Sequence, residues 1–124
     1  MRVVFAALAV AGALLLAPAQ ARDNGQWEGV PWEIRQWYRD AELTEQAQTR
    51  FPFKKCCDHS DTVNTKFKVN KVDGADEWWW LDGANWRRVP PDVVHPNEHA
   101  PDGRPTLFVY EGKETCFFPG EGGL

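Results

Sequence analysis

The stretch DGADEWWWLDGANWRRV, residues 73–89, decides how the middle of the chain folds. Asp-Gly pairs at 73–74 and 82–83 are typical of tight turns, and they bracket the apolar segment DEWWWL. The segment at 85–89 then runs back beside it. We therefore expect a β-hairpin that carries four of the seven tryptophans of the chain.

The tryptophans of this hairpin predict two faces of a sheet. Neighbouring side chains of a strand point to opposite faces, so Trp78 and Trp80 share one face and Trp79 lies on the other. Trp86, in the returning strand, is expected to enlarge the face of Trp78 and Trp80. An exposed aromatic face in an exported protein suggests a ligand surface, which makes Trp78, Trp80 and Trp86 the candidate contact residues. The alternative is that these rings are core residues, since aromatic rings pack cores more often than they bind ligands.

Further strands are predicted on both sides of the hairpin. Residues 63–69 alternate apolar and polar side chains, the period of a half-buried strand. TLFVY at 106–110 and ETCFF at 114–118 predict a last hairpin with its turn at 111–113, and residues 91–94 suit a single helical turn. Five short strands at intervals of about ten residues predict a small antiparallel β-barrel, and the helical turn before the last strands favours an SH3-like topology.

Two short helices are predicted before the strands. Apolar residues from Val30 to Ala41 recur at helical spacing, and Pro31 suits a first helical turn, so we expect a helix from about Pro31 to Ala41. Thr44 can cap a second helix over residues 45–50. The expected fold is therefore α+β, with the N-terminal helices packed on the barrel.

The first residues of the chain predict its cellular location. Residues 1–21 hold a basic residue near the start, an apolar run and an A-x-A cleavage site, the pattern of a secretory signal peptide. We expect a periplasmic or secreted protein that is soluble once this peptide is removed and does not insert in a membrane. The remaining segments are predicted as an exposed leader at 22–29, a helical segment at 30–52, the barrel domain at 53–119 and a mobile tail at 120–124.

The net charge and the absence of catalytic motifs reduce the number of function classes to consider. From residue 22 onward the chain has 13 basic and 18 acidic residues, a formal charge of −5. Nucleic acid and anionic lipid surfaces favour a basic face, so neither is an expected partner. No phosphate-binding loop, catalytic triad order or carboxylate pair stands out. We therefore expect a non-enzymatic binding or structural module of the cell envelope that has no cofactor and whose partner is a glycan, a peptide or a protein.

The segment KKCCDHSD, residues 54–61, raises the sharpest chemical question, because it holds two of the three cysteines. An oxidising compartment and an odd cysteine count favour one disulfide and one remaining thiol. Cys116 is the expected partner, and closing a loop of about sixty residues stabilises the fold by about 4 kcal/mol in the chain-entropy model. Adjacent cysteines of an extended chain face opposite ways, so only one can reach Cys116. We prefer Cys57 as the partner and keep Cys56 as the alternative.

The same segment supports a second hypothesis, a metal-binding or thiol-redox protein. Its ligand types suit copper or zinc, and thiols favour Cu(I). Contiguous ligands, however, do not wrap an ion as the spaced pairs of zinc sites do. A Cys–His nucleophile is also conceivable, but no orienting group accompanies it. The candidate metal ligands are Cys56, Cys57, His59, Asp61 and Cys116.

Two further histidines lie four residues apart, a spacing that would matter on a helix. Pro96 and Pro101 make a helix improbable there. We expect His95 and His99 to be solvated loop residues.

Several short motifs, taken in order, resemble those of a group of small uncharacterised exported proteins of alphaproteobacteria. They are WYRDA at 37–41, CCDHSD at 56–61, W-x-x-VP at 86–90, APDGRPTLFVY at 100–110 and TCFFPG at 115–120. The resemblance implies no activity. It marks as matching positions Cys56, Cys57, Asp58, Asp61, Trp86, Pro90 and Cys116. The group often has one more cysteine at the position of Thr62 and another within LFVY, and both are absent here, which is consistent with a second bridge that this chain lacks.

Overall fold

A computed structural model describes residues 29–121, which form an α+β fold with two antiparallel three-stranded sheets. The helices are α1 (Trp32–Asp40), α2 (Glu45–Gln48) and α3 (Cys56–His59). The strands are β1 (Asp61–Thr62), β2 (Phe67–Val72), β3 (Ala75–Asp82), β4 (Asn85–Arg88), β5 (Thr106–Tyr110) and β6 (Lys113–Phe118), with a 3-10 turn at Pro91–Val93. One sheet has the order β1-β5-β6 and the other β2-β3-β4. The predicted signal peptide, all of the predicted leader except Gly29, and residues 122–124 lie outside the described residues.

The structure is not the predicted closed barrel, and the five-stranded, SH3-like topology is not confirmed. The described strands number six, and no ladder joins the two sheets into a closed structure. The connection from β4 to β5 is rich in proline, which cannot donate the hydrogen bonds that a closing strand pair needs. Its five prolines are Pro90, Pro91, Pro96, Pro101 and Pro105.

The predicted strand over residues 63–69 is divided between the two sheets. Val63 N donates to Leu107 O at 3.1 Å in the β1-β5-β6 sheet. Leu81 N donates to Lys66 O at 3.0 Å in the other sheet. The chain therefore crosses from one sheet to the other between residues 63 and 66, and its regular pairing begins only at Phe67.

Both predicted N-terminal helices are present, each slightly shorter than expected. Thr44 Oγ1 accepts a hydrogen bond from Ala47 N at 3.1 Å and so caps α2, as predicted. α1 places Trp37 against Phe118, with ring centres 4.8 Å apart, and therefore packs on the β1-β5-β6 sheet rather than on the tryptophan hairpin. Between residues 29 and 121, no helix is long and apolar enough to cross a membrane.

Two tight turns have the backbone that their sequences predict. Asp73 and Gly74 have φ values of 52° and 80°, and Glu111 and Gly112 have values of 48° and 76°. Two successive residues in the left-handed region match the right-handed twist of the strands they join. The β2–β3 and β5–β6 hairpins are therefore set locally by sequence.

The core lies where the two sheets face each other and where α1 covers β6. Phe117 of β6 contacts Trp78 and Phe67 of the other sheet, with ring centres 5.2 and 5.6 Å apart. Its neighbour Phe118 points the other way, toward Trp37 of α1. β6 is thus buried on both faces, which explains the continuous apolar run CFF at 116–118.

A β-bulge in β6 directs a carboxylate between the sheets. The register slips between Cys116 and Glu114, so Thr115 is an extra residue without its own partner on β5. Glu114, only 6% exposed, accepts a hydrogen bond from Trp80 Nε1 at 2.8 Å. Arg87 Nη2 lies 3.6 Å from the other carboxylate oxygen. The bulge thereby joins the two sheets through a polar contact within an apolar core.

The segment predicted as a mobile tail starts with two residues that contact the rest of the chain. Gly120 is buried. Glu121 N donates to Gly103 O at 2.9 Å, and a Cβ added at Gly103 would meet the Glu121 side chain. Residues 120 and 121 therefore lie against the rest of the chain, and the mobility of the tail stays a prediction.

Candidate functional site

The disulfide joins Cys56 to Cys116, with Cα atoms 6.1 Å apart and both residues fully buried. The expected bridge to Cys116 is confirmed, but the preference for Cys57 as its partner is wrong. The reason is local structure, because Cys56–His59 forms one helical turn rather than an extended strand. Successive helical residues differ in direction by about 100°, so Cys56 enters the core while Cys57 points to its side.

Backbone hydrogen bonds hold Cys56 in place. Cys56 N donates to Ala41 O at 2.9 Å, and Leu43 N donates to Lys54 O at 2.9 Å. These bonds tie the cysteine segment to the chain that follows α1. Ser60, at the end of the helical turn, is buried, and its hydroxyl lies 2.8 Å from that of Thr115 in β6. The segment is therefore fixed on both sides of the disulfide.

Cys57, the cysteine outside the disulfide, is half-buried. Burial raises the pKa of its thiol to about 12, and the nearby carboxylates of Asp58 and Asp61 act in the same direction. A thiol with so high a pKa stays protonated at neutral pH, and the thiolate is the nucleophilic and metal-binding form. The structure therefore favours the protonated, weakly nucleophilic form of Cys57.

The five candidate metal ligands are not brought together as a set. Cys56 and Cys116 are bonded to each other. The ring of His59 packs near Phe53 and Tyr110, at 5.0 and 5.9 Å between ring centres. Over residues 29–121, no three His, Cys, Asp or Glu side chains are positioned to share an ion.

Each of the two loop histidines contacts β6 or the residue that follows it. The His95 ring stacks on Phe118 at 4.2 Å with a 5° interplanar angle, and His95 N donates to Phe117 O at 2.9 Å. Burial lowers the pKa of His95, and the charge of Glu98 opposes this shift. His99 Nδ1 lies 2.7 Å from Pro119 O. The expectation of a solvated residue is wrong for His95, which is partly buried because the loop pairs with the free edge of β6, whereas His99 is exposed as expected.

The predicted contact face of Trp78, Trp80 and Trp86 does not exist as one surface. Trp78 and Trp80 are 4% and 5% exposed and face the core, whereas Trp86 is 39% exposed on the opposite side of the sheet. The two-residue turn at 83–84 pairs Asp82 with Asn85, so Trp86 lies opposite Leu81. A change of one residue in register reverses the face of every side chain in a strand. The sequence signal for this was the short turn, because counting cross-strand pairs outward from it places Trp86 on the same face as Trp79.

The side of the β2-β3-β4 sheet that faces away from the core is called the outer face below. Two large apolar side chains that are exposed to solvent, Trp86 and Val72, lie on the outer face. The pairing of the strands assigns alternate residues to this face. They are Lys68, Asn70 and Val72 of β2, Ala75, Glu77, Trp79 and Leu81 of β3, and Trp86 and Arg88 of β4.

Side chains of the outer face contact one another across all three strands. Lys68 Nζ lies 4.5 Å from the ring centre of Trp86 and 5.7 Å from that of Trp79. Trp79 Nε1 donates to Glu77 Oε1 at 3.0 Å, and Arg88 Nη2 lies 3.5 Å from the other oxygen of Glu77. The rings are therefore held by their neighbours before any ligand arrives.

The cysteine segment and the outer face offer different chemistry. The first holds a closed disulfide and a thiol of raised pKa, whereas the second presents an indole ring to solvent beside two cations. No protein-family model, curated protein or solved structure matches the chain. The interpretation of function therefore rests on the geometry of these two regions.

Proposed function

We propose that this chain is an exported, non-enzymatic binding module of the cell envelope whose contact surface is the outer face. The observation that carries the proposal is the position of Trp86, 39% exposed on one side of a sheet whose other side is core. An indole combines a large apolar ring with one hydrogen-bond donor, which suits it to contact surfaces that are partly wet. Val72, 45% exposed, extends the apolar area along the same face.

The rigidity of the outer face supports a binding role. Trp79 lies on the central strand, and its indole N–H is fixed by Glu77. Lys68 is extended across the sheet toward Trp86. Side chains that are ordered before binding lose little conformational entropy when a ligand binds, so such a surface can support useful affinity over a small area.

Two features support export. Residues 1–21 have the pattern of a secretory signal peptide. The Cys56–Cys116 disulfide suits an oxidising compartment such as the periplasm or the extracellular space. The metal or thiol-redox alternative has less support, because two of its thiols form that bridge and the third has a raised pKa.

The test is binding of the purified chain to an array of oligosaccharides and peptides. We expect Trp86→Ala to weaken binding of the retained probes by about tenfold or more, since it removes the exposed ring. Trp32→Ala is the matched control, because Trp32 is 58% exposed but lies on α1, away from the outer face. Circular dichroism would check that both variants keep the fold.

Two results would contradict the proposal. One is a wild-type chain that retains no probe of either kind. The other is a Trp86→Ala variant that binds every probe as tightly as the Trp32→Ala control.

A further inference from the structure

We infer that the outer face binds an anionic oligosaccharide, an inference that names the ligand class of the proposed function and rests on it. The first observation is charge. The outer face carries two cations, Lys68 and Arg88, and one carboxylate, Glu77. Lys66 adds a third cation at the border of this face, next to Leu81. The chain as a whole has a net charge of −4, so this face is locally opposite in sign to the rest. A cationic patch on an acidic protein selects an anionic ligand.

The second observation is the position of Lys68. Its ammonium group lies near two indole rings, 4.5 Å from the centre of Trp86 and 5.7 Å from that of Trp79. Two rings at these distances exclude part of the water around the charge, which strengthens its attraction for an anion. A ligand that contacts Trp86 therefore meets a positive charge at the same place.

The third observation is which charges already have partners. Glu77 is engaged by Trp79 and by Arg88, so it compensates part of the charge of Arg88. Over the described part of the chain, no carboxylate forms an ion pair with Lys66 or Lys68. These two lysines supply the positive charge for a ligand.

The shape of the face favours a saccharide over other anions. An extended peptide would add to an edge strand of the sheet, β2 or β4, but lysines at 66, 68 and 71 and arginines at 87 and 88 discourage such pairing. Dense polyanions such as nucleic acid are repelled by the acidic remainder of the chain. A sugar ring can lay its C–H face on the indole of Trp86 while a carboxylate of the sugar reaches Lys68.

The experiment is a titration of tryptophan fluorescence with tetragalacturonate and with its methyl ester, which differ in charge and keep the same sugar rings. We expect the wild-type chain to bind the acid about tenfold or more tightly than the ester. Binding of the acid is expected to weaken as salt rises from about 50 mM to about 500 mM. Lys68→Gln is expected to remove the preference for the acid. Lys71→Gln should not, because Lys71 lies on the same strand but pairs with Asp76 on the other face.

The outcomes separate this inference from the proposed function. Equal affinity for acid and ester, or no binding of tetragalacturonate, overturns the inference, while the Trp86→Ala result on the array still tests the contact surface. Tighter binding of a Glu-Ser repeat peptide or of a short oligothymidylate than of tetragalacturonate also overturns it. If Lys71→Gln loses the preference for the acid as fully as Lys68→Gln, the preference depends on the net charge of the chain, and the proposed site is wrong.

Discussion

The two sheets use aromatic residues in opposite ways. In β6, Phe117 faces the hairpin sheet and Phe118 faces α1, so both sides of the strand are covered. In β3, Trp80 is buried while Trp79 lies on the outer face. The comparison shows that the number of aromatic residues says little about their role. The role depends on how many faces of the sheet the rest of the chain covers.

The largest effect should come from opening the covered sheet. Replacing Cys116 by alanine removes the disulfide and restores the freedom of a loop of about sixty residues in the unfolded chain. We expect Cys116→Ala to lower the free energy of unfolding by about 4 kcal/mol, measured by urea denaturation. Cys57→Ala is the matched control and should change it by less than about 1 kcal/mol. An equal loss in the control would show that Cys57 contributes to the bridge.

A pair of substitutions tests the two faces of β3 directly. Trp80→Phe removes the N–H that Glu114 accepts, which leaves a buried carboxylate without its donor, and should cost about 2 kcal/mol of unfolding free energy. Trp79→Phe removes the corresponding bond to Glu77 on the outer face and should cost less than about 1 kcal/mol. Equal costs in urea denaturation would mean that the two faces are equally buried, contrary to the structure.

The smallest expected effect concerns pH and the loop that covers β6. Burial lowers the pKa of His95 in the folded chain below the value of about 6.5 expected when it is unfolded. Below pH of about 6.5 the unfolded chain therefore binds more protons, and stability falls as pH falls toward the folded pKa. Urea midpoints measured between about pH 8 and pH 5 should show this slope.

His95→Phe provides the control, because it keeps a ring against Phe118 without a titrating group. Its slope should be shallower than that of the wild-type chain. A slope unchanged in this variant would show that the pH dependence does not come from His95.

Features set by neighbouring residues could be predicted from sequence. The cap at Thr44, the turn at Asp73-Gly74 and the last hairpin all depend on local chemistry, and they are found where expected. The two N-terminal helices differ from prediction only at their ends. In each case the residues that decide the structure lie within a few positions of one another.

Features set by distant contacts could not be predicted in this way. The choice of Cys56 over Cys57 depends on a helical turn that the backbone bond to Ala41 holds in place. The partition of the strands into two sheets depends on where the chain crosses at residues 63–66. The face of Trp86 could have been predicted, since the short turn at 83–84 fixes the register of β4. Alternation within β3 alone does not assign the faces of a neighbouring strand.

The position of the disulfide also decides what a protease can do to the molecule. The whole β2-β3-β4 sheet lies within the loop that Cys56 and Cys116 close. A single cut in its exposed turn at Gly83 would produce two fragments that stay linked through sulfur and remain paired along the strands. The two fragments would separate on a gel only after reduction. Where extracellular proteases are present, a single cut at this turn would therefore leave the two fragments of the proposed binding surface attached to each other.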